Sequence, residues 1–320
     1  MMKAVSFVDA KPRVIETEKP TPKADEVLVR VHYSALDTAL APVLQKTFVG
    51  GMLHKKTNPL FCGWHFSGVV ESGSGDFQTG MRVFGHLQYS SNTTQGSLSE
   101  YITVKSDALA VLPESMSMDL GAAATTEPVT ALQALRDIGK LPKDGHILVN
   151  GAGGQVGSCA VQIAKALGSN VTAIVSTKDV EKVTKLGATT VIDRKKTPDV
   201  MGQLNVGEFD VVFDTPGKLS ARKITKYLKP KGVYVNPSPD DMLGFLLGKL
   251  FTSCSSKSVK MIMVESKKKD LEQVGAWVES GQLKIDIDSV HDIKNCAAAI
   301  ERQNDSTKNG RVVVKVEGGF

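Results

Sequence analysis

A run of small residues between two apolar segments is the part of this sequence with the clearest chemistry. The apolar segment Ile147-Leu148-Val149-Asn150 is followed by Gly151-Ala152-Gly153-Gly154-Gln155-Val156-Gly157 and then by a helix-forming segment from Ser158 to Lys165. Glycine allows a tight turn and a close approach of the backbone to a phosphate, while a helix N-terminus offers free N–H groups and a positive dipole end. The spacing Ala152-x-Gly154-x-x-Gly157 therefore predicts a strand, turn and helix that bind the pyrophosphate of a dinucleotide, although an ordinary turn can have the same composition.

The second strand of such a unit usually ends in the residue that contacts the ribose. Here the β-branched segment 170–175 lies about 20 residues downstream, at the expected distance, and is followed by Ser176, Thr177 and Lys178. An acidic residue at this place would repel a 2′-phosphate, whereas two hydroxyls and an ammonium would donate to it. Arg194, after the next predicted strand, could add a planar contact. The pattern favours NADPH over NADH; the alternative is that Lys178 and Arg194 are solvated surface charges.

Two later predicted strands bring further candidate cofactor contacts to the same edge of the sheet. In an open parallel sheet, ligands bind outside the carboxyl ends of the strands. We therefore expect the residues at those ends to line the cofactor site. They are Asp214 and Pro216 after one strand, and Asn236, Pro237 and Ser238 after another.

The overall composition limits the classes of function. A chain of 320 residues suits two domains, and 41% hydrophobic with 23% charged residues is typical of a soluble globular protein. The net charge of +5 is mild, and basic runs such as 267–269 are not interleaved with aromatic residues, so no nucleic-acid site is expected. No apolar run approaches the roughly 20 residues of a membrane span, so no integral membrane segment is expected.

The first residues of the chain and its cysteines indicate the cellular compartment of the protein. The first residues resemble a strand and have no signal-peptide character. Cys62, Cys159, Cys254 and Cys296 are far apart and form no CxxC pair, which is typical of reduced thiols. We expect the cytoplasm or another reducing compartment, with peripheral membrane attachment left open.

Hydrophobic patterning divides the chain into two predicted domains. Residues 1–124 read as short strands separated by glycine-rich turns, which is typical of a β-barrel. Strands alternate with helices over 125–266, which predicts a doubly wound parallel sheet and an α/β fold. Residues 267–320 contain two helices and a closing strand at 310–316 that could return to the first domain.

Several short motifs, in order along nearly the whole chain, resemble the zinc-independent quinone oxidoreductase branch of the medium-chain dehydrogenase/reductase family. Within it, the sequence is similar to chloroplast-envelope quinone oxidoreductase homologues and fruit enone oxidoreductases. Besides the glycine-rich turn, the motifs are Pro20-Thr21-Pro22-Lys23-x-x-Glu26-Val27, Gly63-Trp64-x-Phe66-Ser67-Gly68-Val69-Val70, Thr130-Ala131-Leu132-Gln133-Ala134-Leu135, Val161-Gln162-Ile163-Ala164-Lys165, Leu186-Gly187-Ala188 and Gly310-Arg311-Val312-Val313-Val314.

The resemblance implies a fold and some additional site residues. It implies a GroES-like β-barrel domain formed by 1–124 and 267–320, and a Rossmann dinucleotide-binding domain over 125–266. It also implies that Thr130 lies near the nicotinamide, that Lys257 belongs to a loop that contacts the cofactor, and that a homodimer is possible.

Departures from the family pattern fall where substrate and nicotinamide should meet. Relatives that use catalytic zinc have a Cys in the segment matching 34–38 and a Gly-His-Glu where this chain has Gly63-Trp64-His65. Cys62-x-x-His65 is the only spacing in the sequence that resembles a pair of metal ligands. A tetrahedral zinc site needs three or four ligands, so we expect no metal site. Ser34, Asp37 and Trp64 are candidate substrate contacts. His65 is the candidate catalytic proton donor, with a packed structural histidine as the alternative.

Without a metal to polarise a carbonyl, the acceptors that need least help are conjugated ones, which delocalise the charge of an incoming hydride. The sequence therefore predicts an NADPH-dependent enzyme that reduces a quinone or an α,β-unsaturated carbonyl. The alternative is an NADPH-binding protein of the same fold with a non-catalytic binding or structural role.

Overall fold

The computed structural model describes residues 1–253 and 255–320 and divides the chain into two compact units. Unit 1 contains Met1–Thr126 and Glu265–Phe320, and unit 2 contains Glu127–Val264. These bounds lie within a few residues of the predicted 124/125 and 266/267 boundaries.

The amino-terminal part of unit 1 is mostly antiparallel β-structure. Val27, Val29 and Val31 recur at every second position, which places a row of buried valines on one face of β3. The elements are β1 (Met2–Val8), β2 (Lys11–Thr17), β3 (Glu26–Ala35), α1 (Leu40–Leu44), α2 (Phe48–Leu53), β4 (Leu60–Phe61), β5 (His65–Ser72), β6 (Arg82–His86), β7 (Tyr101–Lys105), β8 (Leu109–Val111) and α3 (Met118–Ala123).

Unit 2 is a parallel sheet with helices between its strands. After α4 (Thr126–Leu132) and a π-helical segment (Gln133–Ile138) come β9 (His146–Asn150), α5 (Gln155–Ala166), β10 (Asn170–Val175), α6 (Val180–Lys185), β11 (Thr190–Asp193), β12 (Phe209–Asp214), α7 (Ala221–Ile224), β13 (Leu228–Asn236), α8 (Met242–Phe251) and β14 (Ser258–Met261). The strand order is β11-β10-β9-β12-β13-β14, with every pairing parallel. This order confirms the predicted Rossmann fold, whose direction of winding reverses between β9 and β12.

The carboxyl-terminal part returns to unit 1. It contains α9 (Lys268–Glu279), β15 (Ile287–Asp292), α10 (Cys296–Asn304) and β16 (Arg311–Lys315). β16 pairs with β3, so the sheet runs β15-β16-β3-β5-β6-β8 with β7 also on β3, and β2-β1-β4 forms a second sheet. The predicted GroES-like architecture is thereby confirmed.

Three titratable side chains of unit 1, Cys62, Cys296 and His86, are buried away from solvent. Burial raises the pKa of the Cys62 and Cys296 thiols to about 12, so both stay protonated at neutral pH. Burial likewise lowers the pKa of His86 to about 3, so this imidazole is neutral in the folded protein. Cys159 is buried in unit 2, and Cys254 lies outside the described residues.

In the part of the chain that the structure describes, no helix is both long and apolar enough to span a bilayer.

We expect His86 to make the protein less stable as the pH falls. Its pKa is about 3 when folded and near 6.5 when unfolded, so the unfolded state binds the proton first and stability is lost below pH 6.5. At about 1.4 kcal/mol per pKa unit, His86 alone lowers the free energy of unfolding by about 2 kcal/mol between pH 7 and pH 5. Urea unfolding at both pH values measures this change. His86→Leu should show a pH dependence smaller by that amount; an unchanged dependence would contradict the assignment.

Candidate functional site

The glycine-rich turn of unit 2 joins β9 to α5 as the sequence predicts. Gly151 has a φ of +75°, which favours glycine. A Cβ on Gly157 would lie 2.3 Å from the carbonyl oxygen of Gly151, so only glycine lets the helix start this close to the turn. Gly154 is the N-cap of the 12-residue helix α5 and brings no side-chain acceptor, so the positive dipole end of the helix lies at the turn. The remaining turn residues, Ala152, Gly153, Gln155 and Val156, complete a backbone cradle that fits a pyrophosphate.

The predicted 2′-phosphate residues lie together at the carboxyl edge of the sheet. β10 and β11 are parallel with Val175 opposite Asp193, so the next residues, Ser176 and Arg194, are neighbours. The N–H of Arg194 donates to the carbonyl of Val175 at 2.9 Å, which holds this register past the strand ends. Thr177 and Lys178 form an exposed single turn after β10, and the Arg194 side chain is exposed.

The same edge also carries Asp179, which the sequence analysis did not single out. Its carboxylate accepts a hydrogen bond from the Ser176 hydroxyl at 2.6 Å. A Cβ on Gly153 would lie 2.4 Å from the Asp179 carboxyl carbon, so this acid packs directly on the glycine-rich turn. Only its position four residues past the end of β10 could have identified it. The edge therefore offers both cationic and anionic groups to a ribose.

Asp214 is the last residue of β12 and lies where the winding of the sheet reverses, between β9 and β12. The side chain is fully buried, and its carboxylate accepts from Asn150 Nδ2 at 2.7 Å, the Leu219 N–H at 2.7 Å and the Tyr234 hydroxyl at 2.9 Å. Asn236 donates to the same tyrosine at 3.0 Å. These bonds fix the loops after β12 and β13, so Asp214 and Asn236 shape the edge from below its surface.

The other predicted cofactor residues of unit 2 differ in exposure. Pro216 and Ser238 are exposed, and Pro237 is half-buried. Thr130 is buried on α4. Lys257 donates to the carbonyl of Thr225 at 2.8 Å, so its ammonium is held beside the segment after α7. The structure thus gathers the turn, Ser176 and Arg194 at one edge but gives Lys257 a partner elsewhere in the unit.

Unit 1 contains a buried chain of charged and polar side chains. Arg311 on β16 donates through Nη2 to His65 Nδ1 at 2.5 Å, and both side chains are almost entirely inaccessible. His65 Nε2 lies 2.8 Å from Asp37 Oδ2 and 3.0 Å from the Tyr89 hydroxyl. The Tyr89 hydroxyl also donates to Asp37 Oδ2 in a short hydrogen bond. We refer to Arg311, His65, Asp37 and Tyr89 as the buried relay.

The donors in the buried relay determine the protonation state of His65. A guanidinium has donors only, so His65 Nδ1 must accept from Arg311 and the ring proton lies on Nε2, which donates to Asp37. Burial, with the charge of Arg311, lowers the pKa of His65. Burial would raise the pKa of Asp37, but the hydrogen bonds from His65 and Tyr89 outweigh it and lower that pKa. Desolvation lowers the pKa of Arg311 to about 10, so the relay contains a cation, a neutral imidazole and a carboxylate at neutral pH.

The candidate substrate residues of unit 1 lie close to this relay. Asp37 is its carboxylate, and Trp64 packs with its ring centroid 5.2 Å from that of Tyr89. The Ser34 hydroxyl lies 2.7 Å from the Ser97 hydroxyl. Ser34 and Trp64 are 0% and 1% exposed, so the half-buried Tyr89 is the member of this group with most access to its surroundings. A charged residue directly before the three valines of β16 is the signal that could have identified Arg311. No signal in the sequence marks Tyr89.

The residues of unit 1 do not fit a zinc ion. Among residues 1–253 and 255–320, no three His, Cys, Asp or Glu side chains converge as metal ligands. Cys62 keeps its proton because burial raises the pKa of its thiol, whereas zinc binds the thiolate. Both ring nitrogens of His65 already have partners.

Family models match both units. The alcohol dehydrogenase GroES-like domain matches residues 23–114, and the zinc-binding dehydrogenase model matches residues 186–314. A trans-enoyl reductase of Aspergillus terreus is 28% identical over 99% of this chain and 96% of the relative. A chloroplast envelope quinone oxidoreductase homolog of Arabidopsis thaliana is 29% identical over 94% of this chain and 93% of the relative.

Solved structures share the fold over the full length. An alcohol dehydrogenase superfamily protein from Novosphingobium aromaticivorans superimposes with a TM-score of 0.83 at 23% identity, covering 99% of this chain and 100% of that one. A quinone oxidoreductase from Coxiella burnetii gives 0.82 at 21% identity, covering 99% of each chain. With two family models that together match more than half of the sequence and relatives that align along nearly all of it, the chain belongs to the medium-chain dehydrogenase/reductase family.

Proposed function

We propose that this protein is an oxidoreductase that uses NADPH to reduce a quinone or an α,β-unsaturated carbonyl. The observation that carries the proposal is the glycine-rich turn with Ser176 and Arg194 side by side at the same sheet edge. The alignment of the whole chain with a trans-enoyl reductase and a quinone oxidoreductase homolog supports the choice of acceptor.

The backbone cradle fits the pyrophosphate because its glycines leave no Cβ in the way and the positive dipole end of α5, whose N-cap is Gly154, lies at the turn. When bound, the cofactor supplies a hydride. Lys178 and Arg194 would hold the 2′-phosphate by charge-assisted hydrogen bonds. The Ser176 hydroxyl donates to Asp179 and the Thr177 side chain is hydrogen-bonded to Asp193, so each hydroxyl would reach a phosphate only by exchanging that partner. The Asp179 and Asp193 carboxylates oppose a phosphate at this edge, so the two cations must outweigh them for NADPH to be preferred.

The acceptor class follows from what the chain's own side chains can do. A Lewis acid that polarises a simple ketone is worth several kcal/mol, and the residues of unit 1 do not fit zinc. A conjugated acceptor spreads the new charge onto a distant oxygen, and positioning with hydrogen-bond donors then accounts for the catalysis.

His65 is better suited to position its neighbours than to donate a proton. Its one ring proton is directed at Asp37, and its other nitrogen accepts from Arg311. We propose that it holds Asp37, and through Asp37 the Tyr89 hydroxyl, in a fixed geometry. The alternative is that His65 donates a proton to the substrate, and the experiments must distinguish this role from a positioning role.

The first test is the initial rate of NADPH oxidation, with NADH for comparison, on an ortho-quinone, a vinyl ketone and a long-chain alkenal. We expect turnover of at least one acceptor with NADPH preferred, and the fastest acceptor identifies the substrate class. NADPH binding without turnover of any acceptor would contradict the enzyme and favour a non-catalytic cofactor-binding protein.

We expect Lys178→Ala with Arg194→Ala to remove the preference for NADPH. Loss of charge-assisted hydrogen bonds worth about 1.5 kcal/mol or more should raise the KM for NADPH roughly tenfold or more. The KM for NADH should stay unchanged, because NADH lacks the phosphate. Lys196→Ala, an exposed cation two residues past Arg194, is the matched control. Equal changes for the two cofactors would show that these cations do not recognise the phosphate.

We expect His65→Gln to lower kcat by up to roughly 100-fold through misplacement of the relay. The pH profile of kcat/KM above pH 7 should keep its shape, because the lowered pKa of His65 leaves the imidazole neutral there. Loss of a limb of that profile in the variant would instead identify His65 as the acid that donates the proton.

A further inference from the structure

Helix α8 of unit 2 carries a continuous apolar face that is open to solvent. Leu243 and Leu250 are each 69% exposed. Between and beside them, one face of a 10-residue helix presents Met242, Leu246, Leu247 and Phe251, all between 46% and 59% exposed. Exposed apolar residues are normal when scattered, but a contiguous group on one helix marks an interaction surface. We refer to these six residues as the α8 face.

The opposite side of α8 packs against unit 2, which leaves the α8 face directed towards solvent. Phe245 is buried and packs near Tyr234, with ring centroids 6.5 Å apart. A Cβ on Gly248 would lie 2.7 Å from Ala221 Cβ, so glycine lets α8 approach α7 closely. Asp241 caps the helix by accepting from the Gly244 N–H at 2.8 Å. The helix is thus anchored by its small and aromatic side, and its leucine side has no role in the core of unit 2.

A basic groove adjoins the carboxyl end of the α8 face. It has a volume of about 820 Å³, and its lining includes Arg222, Lys223, Lys226 and Lys257 together with Phe251 of the face. Arg222 lies over the Phe251 ring, 5.6 Å from its centroid, so cationic and apolar surfaces are continuous. No carboxylate lines this groove in the described part of the chain.

We propose that the α8 face and the basic groove form a docking surface for a bilayer that contains anionic lipids. Leucines and a phenylalanine on one side of a helix, bordered by lysines and an arginine, have the chemistry of helices that lie in the lipid interface. The apolar side chains enter the boundary of the acyl chains, while the cations contact the phosphate headgroups.

A second copy of this chain is the competing occupant, and the charges argue against it. Interfaces between proteins are depleted in lysine, whereas lysines adjacent to an apolar face strengthen attachment to an anionic bilayer. Lys249 lies on the helix itself, and Lys223 and Lys226 line the adjoining groove. The proposal concerns a surface of unit 2 and does not depend on the reaction that the protein catalyses.

Co-sedimentation of the full chain with vesicles tests the proposal. We expect binding to phosphatidylcholine vesicles that contain phosphatidylglycerol, weaker binding at high salt, and little binding to phosphatidylcholine alone. Leu247→Glu should weaken binding at least tenfold, while Val206→Glu, at another apolar residue of unit 2 that is 72% exposed, should leave it unchanged. Both positions are exposed, and circular dichroism checks that both variants fold.

The cations are tested separately. Each lysine near an anionic bilayer contributes about fivefold in affinity, so Lys223→Gln with Lys226→Gln should weaken binding roughly 25-fold. Lys55→Gln with Lys56→Gln, two exposed lysines of unit 1, is the matched control and should change little. Equal loss with the two pairs, or equal binding to neutral vesicles, would overturn the proposal. Sedimentation equilibrium covers the remaining outcome: a dimer that Leu247→Glu converts to a monomer, without vesicle binding, would identify a second copy as the occupant.

Discussion

The buried cation of Arg311 is the constraint on which the arrangement of unit 1 depends. A guanidinium that is 1% exposed costs several kcal/mol unless its environment supplies acceptors. β16 brings Arg311 beside β3, and β5, on the other side of β3, brings His65 to meet it. Asp37, two residues past the end of β3, supplies the counter-charge through the imidazole. The closing strand, the central strands and the loop after β6 that carries Tyr89 are therefore held in one register by a single charge and its partners.

Unit 2 uses a buried anion for the same purpose. Asp214 is fully buried, and an amide side chain, a backbone N–H and a phenol satisfy its carboxylate. These donors come from β9, the loop after β12 and β13, which are the elements on either side of the point where the sheet reverses its winding. A buried carboxylate whose hydrogen bonds are satisfied holds these loops in place without occupying the surface of the sheet edge.

Local patterns in the sequence predict the parts of the fold and site that depend on local chemistry. The glycine-rich turn could be predicted because tight backbone packing admits no other residue at Gly157, and the strand alternation follows from side-chain burial. The contacts of the buried relay could not be predicted, because Arg311 and His65 are 246 residues apart and meet only through strand pairing. Asp214 shows the same limit in another form: its place at the strand end is predictable, but the phenol of Tyr234 that it binds depends on the neighbouring strand.

The residue type at position 65 determines the charge balance of the buried relay. An acid there would place two carboxylates next to one guanidinium. With a neutral imidazole between them, Arg311 and Asp37 balance each other, and burial moves the pKa of His65 down and leaves that of Arg311 at about 10. Because none of these groups titrates near neutral pH, the relay holds its hydrogen bonds there. Tyr89 then remains a neutral phenol of fixed orientation, because burial and the Asp37 carboxylate raise its pKa. Its one proton is donated to Asp37, so the phenol serves to hold that carboxylate and the loop after β6 in place.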